Sequence, residues 1–317
     1  MSSPNVSILI PVYNASLFIE RCANSVFSQT FSSIEYVFVD DGSVDDSIHK
    51  LEKVLNNYPN RQYAVQILKH QVNKGISAAR QTALDHASGQ YVFMMDSDDY
   101  VENNLVEMLY NKAVSCKSDL VYCPFFVEYE NKSDLSSIYF SNNNRKMIDQ
   151  AIKGNASYWN KLISRSLLVN NNIRTLDGID YGDDLAVLVK VIYYARNICY
   201  LPFPLYHYVQ YNTDSCTKKF KLKYIDDRLI MVDYISNFLE SVPDAVNYRK
   251  SILLLKATRK ERLLRLMGPE ERFIGLYPEI NHHIFSVDIK LSSKILLLLS
   301  RQKFKKILKI YIKLLKQ

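Results

Sequence analysis

The sequence predicts an α/β fold: a mostly parallel sheet flanked by helices, with a helical C-terminal extension. Three observations lead there. Apolar runs of strand length alternate with stretches of helix length through residues 1–123, the pattern of βαβ units. The 317 residues are 48% hydrophobic with only 8 glycines and 9 prolines, so core material is ample and long disordered segments are not expected. From about Lys219 the pattern turns helical through Met267, and the final segment reads as a basic helix.

The elements follow in order. "VSILIPVY" (6–13) reads as the first strand and Ala15 to Ser28 as a helix with Ser16 as its cap. "IEYVFVD" (34–40) is the second strand. The helix at 44–58 carries Asp45 and Asp46 in its first turn, where carboxylates suit the helix dipole. "VQILKH" (65–70) is the third strand, and "SAARQTALDHA" (77–87) a helix closed by Gly89. "YVFMM" (91–95) is a buried strand before a helix at Glu102–Ala113. Beyond residue 123 the spacing predicts a hairpin within 125–140, helical stretches at 158–171 and 182–195, and an extended segment at 198–211. The expected division is a catalytic domain at 1–218, with halves 1–123 and 124–218, and a helical region at 219–317. No internal repeat and no low-complexity linker interrupts it.

The net charge of +7 is concentrated in the tail. Nine basic residues and no acid lie between Ile289 and Gln317, which leaves residues 1–288 near neutral at −2. In a helix, Phe304, Ile307, Leu308, Tyr311, Leu314 and Leu315 share a face, with Lys305, Lys306, Lys309, Lys313 and Lys316 largely opposite. That is the pattern of an interfacial helix attracted to anionic lipid. It also suits a helix packed on its own domain, or a contact in a homodimer. The body offers no matching basic surface, so nucleic acid is not expected as a partner. The five cysteines (Cys22, Cys116, Cys123, Cys199 and Cys216) form no CxxC pair. Small buried thiols in a reducing compartment are expected, rather than disulfides or zinc. The opening "MSSPNVSILIPVYN" has no positive leader, and Ile295–Leu299 is too short to cross a bilayer. The expectation is a cytoplasmic protein, peripheral to the inner face of the membrane.

Chemistry concentrates where strands end. In "DSDD" (96–99) three carboxylates crowd the tip of a core strand, and burying charge is costly unless it is paired or metal-bound. A D-x-D supplies part of an oxygen shell for Mg²⁺ or Mn²⁺; the same residues suit a helix N-cap. "VDDGSVDDS" (39–47) can accept hydrogen bonds from ribose or a base, or simply form a turn. There is neither GxGxxG nor a P-loop. "NKGISAAR" (73–80) adds Lys74 and Arg80, an arginine being apt for phosphate. In "DGIDYGDDLAV" (177–187), Asp183 and Asp184 can provide a general base or a cap. His207 reads as structural or as a metal ligand, and Trp159 as core or as an acceptor-stacking ring.

Taken together, these segments resemble the inverting family 2 glycosyltransferases of GT-A, Rossmann-like fold. The resemblance runs from "VSILIPVYN" through "VDDGSVDDS", "NKGISAAR", "GQYVFMMDSDD", "YWNKLISRSLL" and "YGDD", covering about residues 4–215. It implies that Pro11, Val12, Tyr13 and Asn14 border the nucleotide base and that Asp40 and Asp41 contact uracil and ribose. Lys74 and Arg80 approach base and phosphates, and Ser97 belongs to the same nucleotide site. Asp96 touches the ribose and Asp98 the metal, with Asp96 and His207 as further ligand candidates. Asp184 is the implied base, with Asp183 its neighbour in place of the family's usual Glu. Trp159 is the acceptor-side candidate. The implied cofactor is Mn²⁺ or Mg²⁺, and the implied partners are a nucleotide-sugar donor and a saccharide or lipid-linked saccharide acceptor. A metal-dependent nucleotidyltransferase and a non-catalytic nucleotide-sugar-binding membrane adaptor are the alternatives. The family's arginine after the last aromatic strand is replaced by Val209 and Gln210, with Lys218 or Lys219 as substitutes.

Overall fold

The computed structural model describes residues 3–154, 156–213, 215, 218, 221–301 and 304–315; Lys219 and Cys216 lie outside them. The chain forms two compact units, residues 1–147 with 156–220, and residues 148–155 with 221–317.

The first unit is built on β1 (Val6–Val12), β2 (Ile34–Asp40), β3 (Val65–Lys69), β4 (Tyr91–Met94), β5 (Tyr100–Val101) and β6 (Leu120–Tyr122), continued by β7 (Phe125–Glu128), β8 (Ser133–Leu135), β9 (Lys161–Ser164), β10 (Ile198–Tyr200) and β11 (Tyr206–Val209). Its helices are α1 (Ile19–Phe27), α2 (Ser47–Leu55), α3 (Ile76–His86), α4 (Leu105–Cys116), α6 (Arg165–Asn170) and α7 (Asp183–Tyr194), and it holds the start of α5 (Asn144–Lys153). Seven strands form one sheet in the order β10-β6-β9-β4-β1-β2-β3. β1 runs parallel to both β2 and β4, with Val12 opposite Asp40 and Leu9 opposite Met94. Every residue of β1 and β2 is buried, which is why these strands read as continuous rather than alternating apolar runs. A second sheet has the order β5-β11-β7-β8, and the hairpin expected within 125–140 is its β7–β8 pair.

Three stretches depart from expectation. The first helix begins at Ile19 behind Phe18 rather than under a Ser16 cap, and α2 begins at Ser47, which leaves Asp45 and Asp46 ahead of its first turn. Residues 158–171 are not one helix: Lys161–Ser164 is strand β9, antiparallel to β4 and β6, and only Arg165–Asn170 is helical. Trp159, Leu162, Ile163 and Leu167 fall at helical spacing, but four residues are too few to show strand alternation. Two waiting strand edges outweigh local periodicity. The thiols also divide: Cys22 and Cys123 are buried, whereas Cys116 and Cys199 are only partly so.

The second unit contains α8 (Lys223–Ser241), α9 (Arg249–Met267), α10 (Glu271–Ile274), α11 (Ile280–His283), α12 (Leu291–Leu299) and α13 (Lys305–Leu314). Lys260 is buried in α9 and donates to the carbonyls of Ile274 (2.8 Å) and Leu276 (2.6 Å). In α13, Leu308 and Ile312 are buried and the Tyr311 hydroxyl donates to the Ser292 carbonyl (3.2 Å). Ile307, Ile310 and Leu314 stay exposed, so the inward face is turned from the one expected. No helix among the described residues is long and apolar enough to cross a membrane.

Candidate active site

The sheet brings three loops to one edge, at the carboxyl ends of β1, β2 and β4, the last two of them acidic, where open α/β sheets bind ligands. The first two loops are stitched together. Asn14 is left-handed (φ 48°), a conformation asparagine tolerates; its Oδ1 accepts the Val44 N–H (3.0 Å), and its own N–H donates to Ser43 Oγ (3.1 Å). Pro11 and Val12 are buried, whereas Tyr13 is 49% exposed at the rim. Asp40 is buried; its Oδ1 accepts the Ser43 N–H (2.8 Å), and the Lys69 ammonium lies 3.7 Å from Oδ2.

Asp41 has a different occupation from the one expected. Its carboxylate accepts the backbone N–H groups of Lys74 (2.9 Å) and Gly75 (2.9 Å) and faces His70 Nδ1 (2.7 Å), while His70 Nε2 meets Thr82 Oγ1 (2.9 Å). Asp41 therefore shapes the 73–75 loop, and the Lys74 side chain stays exposed. His70 carried no motif and was not legible as part of this site. Gly75 has φ 91° and ψ 160°, a region essentially restricted to glycine. A Cβ there would collide with Asp180 Oδ1. Gly75→Ala is therefore expected to destabilise the protein by about 1–3 kcal/mol, read from the midpoint of chemical denaturation.

At the end of β4, Asp96, Ser97 and Asp98 are partly exposed and Asp99 is fully buried. Asp99 accepts the Tyr206 hydroxyl (2.5 Å) and the Val209 N–H (2.7 Å). Burial and the charges of Asp98 and Asp96 hold its proton affinity well above the usual carboxylate range. Asp99 thus ties the acidic turn to β11. Asp98 is pushed up to about 6, by burial first and then by Asp96. Its Oδ2 accepts the Asn212 amide (2.7 Å), and no cationic side chain pairs with it among the described residues.

Arg80 joins the two acidic motifs. Its guanidinium lies 2.9 Å from Asp96 Oδ1 and 3.1 Å from Asp183 Oδ1, with both Arg80 and Asp183 buried. The Tyr158 ring sits 5.3 Å from the guanidinium centre. Expected at the phosphates, Arg80 is instead committed to carboxylates, and those charges hold its own proton tightly against the cost of burial. Asp183 and Asp184 open α7 behind Gly182. Asp184 accepts only the neighbouring Leu185 N–H (2.8 Å) among its described hydrogen bonds. Its carboxyl is pushed up to about 6 by burial and then by Asp183, against the pull of Arg80. A carboxylate with that affinity, with no ion-pair partner of its own among the described residues, is suited to take a proton near neutral pH.

Two candidates lie elsewhere in the packing. His207 stacks on Tyr100 (4.2 Å) and Phe126 (5.1 Å), with Nδ1 at Glu128 (2.7 Å) and Nε2 at Glu102 (3.1 Å). Both ring nitrogens are taken, so the metal role expected of it finds no free lone pair. Trp159 is 8% exposed, stacked on Tyr206 (4.7 Å) and Tyr208 (4.8 Å) and edged by Phe125 (4.5 Å). Its ring is a core ring rather than an open platform for a sugar. A divalent cation nonetheless fits the donor chemistry of the β4 turn, because Asp98 is a partly exposed carboxylate with no ion pair among the described residues and only one of its oxygens taken by the Asn212 amide there. Among the described residues no three His, Cys, Asp or Glu side chains converge on one metal position. A cation there needs oxygens from a ligand, as hard cations shared with phosphates do.

Comparison with known proteins places this geometry. A model of the family described as Glycosyl transferase family 2 matches residues 7–168. EpsH of Bacillus subtilis (strain 168), which carries a glycosyltransferase name, is 28% identical over 261 residues, 80% of this chain and 74% of that protein. The cholesterol galactosyltransferase of Borreliella burgdorferi is 29% identical over 212 residues, 62% of this chain but only 57% of its own length. In fold, the chain resembles residues 1–349 of S. aureus TarS in complex with UDP-GlcNAc, with a TM-score of 0.77, 18% identity and coverage of 99% and 92% of the two chains. It also resembles the mannosyltransferase PcManGT of Pyrobaculum calidifontis in complex with GDP-Man and Mn²⁺, with a TM-score of 0.51, 17% identity and coverage of 99% and 86%.

Proposed function

The chain belongs to glycosyl transferase family 2 and is a glycosyltransferase of GT-A fold, and we propose that it moves a hexosyl or N-acetylhexosaminyl group from a UDP-sugar to a saccharide hydroxyl with inversion. The observation that carries this reading is the Arg80 bridge, which sets the Asp183–Asp184 pair beside the D-x-D turn. Asp184 takes the proton of the acceptor hydroxyl. The acceptor oxygen then bonds to the anomeric carbon while the bond from that carbon to the diphosphate oxygen breaks on the opposite face. Pro11, Val12, Tyr13, Asn14 and Asp40 border the base and ribose, with Asp41 acting through the loop it holds. Lys74 and Ser97 lie toward the diphosphate. Asp98, with Asp96 beside it, would hold Mn²⁺ or Mg²⁺, which when bound offsets charge on the leaving diphosphate. Uridine is supported by TarS, the nearer in fold of the two neighbours reported, having been crystallised with UDP-GlcNAc.

The reading extends to place and acceptor. Exposed Ile307, Ile310 and Leu314, flanked by exposed Lys306, Lys309 and Lys313, form a stripe suited to an anionic membrane surface. We place the protein at the cytoplasmic face, extending a lipid-linked saccharide for cell-surface polysaccharide or glycolipid. In this reading residues 1–218 are the catalytic domain and 219–317 a helical C-terminal region whose basic amphipathic tail meets the membrane. Each lysine near such a surface contributes about 1 kcal/mol. Replacing Lys306, Lys309 and Lys313 by Glu is expected to weaken co-sedimentation with phosphatidylserine vesicles by about 10²-fold or more. Unchanged sedimentation counts against the membrane role.

The donor is tested by calorimetric titration of UDP, GDP and CDP with Mn²⁺, repeated with chelator and with Asp98→Asn. UDP binding that is lost in both controls, with nucleoside diphosphate as the by-product of turnover, is the expected result. Pyrophosphate release would indicate nucleotidyl transfer instead, and binding without turnover an adaptor.

A further inference from the structure

We propose that Asn212 is a positioning residue for Asp98, holding one carboxylate oxygen so that the other serves the cation that meets the donor diphosphate. The inference rests on the donor-site reading above and adds to it a residue outside the acidic motif.

Asn212 lies three residues beyond β11, in a segment secured at several points. The Gln210 N–H donates to the Glu128 carbonyl (2.7 Å). The Tyr211 hydroxyl accepts from Arg21 Nη1, and the Tyr211 ring lies 6.1 Å from Phe18. Arg21 projects from α1 with its guanidinium 4.3 Å from the Tyr100 ring centre, and its Nη2 donates to the Asp98 carbonyl (3.0 Å). Asp98 is therefore held twice: its backbone by α1 through Arg21, and its carboxylate by Asn212 at 2.7 Å. Arg21 also links those two holds, because the same guanidinium grips the residue next to Asn212.

The chemistry of the donor matters. A lysine or arginine at position 212 would form an ion pair with Asp98 and compete with a cation for its charge. An amide orients the carboxylate and leaves the negative charge in place. Carboxylates that ligate metals are commonly hydrogen-bonded in this way, and loss of such a partner typically weakens metal affinity about 10–100-fold. Asp98 has particular need of it, being only partly exposed and set two residues from the like charge of Asp96. A plugging role, in which Asn212 occupies the cation's place, predicts the opposite change.

The test is Mn²⁺ titration of the full chain at saturating UDP, followed by calorimetry and by the loss of the free Mn²⁺ paramagnetic resonance signal. Asn212→Ala is expected to raise the Mn²⁺ dissociation constant about 10–100-fold. Its thermal midpoint without metal and the Kd of any UDP bound in chelator should stay as in the wild type, which a merely structural role would not predict. Tyr211→Phe, which frees the segment from Arg21 without touching Asp98, should weaken Mn²⁺ binding in the same direction by less, and carries the test if Asn212→Ala fails to fold. Unchanged or tighter Mn²⁺ binding in the variant that folds overturns the inference. Failure of the donor-site reading is distinguishable, because it appears in the wild type as no Mn²⁺-dependent UDP binding at all.

Discussion

Asp184→Asn is expected to lower turnover by about 10²–10⁴-fold while leaving nucleotide-sugar binding near the wild-type value. The substitution keeps the shape and the contact to the Leu185 N–H while removing the proton acceptor. The pH profile should identify the same group. Asp184 is raised to about 6 by burial and by Asp183, and a base acts only when ionised. The acidic limb of kcat/KM should therefore fall as pH drops through about 6, with activity sustained above it. Full turnover in Asp184→Asn, measured as sugar transferred per enzyme, would sink the assignment; the same loss in Asp183→Asn but not Asp184→Asn would move it one residue upstream.

Replacing Arg80 by Leu is expected to be the most damaging single change to the first unit. The guanidinium counters Asp183, which is 2% exposed, and Asp96 together, and removing one member of a buried charge pair costs about 3–5 kcal/mol. For a domain of this size that corresponds to a fall in Tm on the order of 10 °C. Arg80→Lys should recover little, because a point ammonium cannot span two carboxylates as a planar fork does. Adding Asp183→Asn to Arg80→Leu should restore part of the loss by removing one unpaired charge. Arg80 also holds down the proton affinity of Asp184, so in any variant that folds the acidic limb of the rate profile should shift upward. Differential scanning calorimetry of the four proteins checks the order.

Much of this site could be read before the fold was seen, and the misses share a cause. The acidic runs at 39–47, 96–99 and 183–184 were visible because carboxylates at strand and helix ends are costly and stand out. What each carboxylate does depends on neighbours distant in sequence. Asp41 meets His70 and the 73–75 loop, Asp99 meets Tyr206, and Asp98 meets Asn212 more than a hundred residues away. Arg80 looked like a phosphate ligand because its two carboxylates lie 16 and 103 residues off. Trp159 and His207 were ambiguous for the same reason, since only packing decides whether a ring or an imidazole is already satisfied. Strand β9 was missed because its apolar spacing fits a helix, and only its neighbours make it a strand.

β9 also sets an order of assembly. β6 does not touch β4; between them runs a strand synthesised about forty residues later. A chain emerging from the ribosome can pair β1, β2, β3 and β4 as they appear, but β6 and β10 have no place in the large sheet until β9 arrives. Such long-range closure is slow to nucleate. α7, with Asp183 and Asp184, is later still, so a nascent chain carries its acidic β4 turn for some time before Arg80 can join it to Asp183. Pulse-labelling hydrogen exchange during refolding should show β1 and β2 amides protected before those of β6. Completion of the large sheet and of the acidic site is accordingly a late event in the life of the polypeptide, waiting first on one four-residue strand and then on α7.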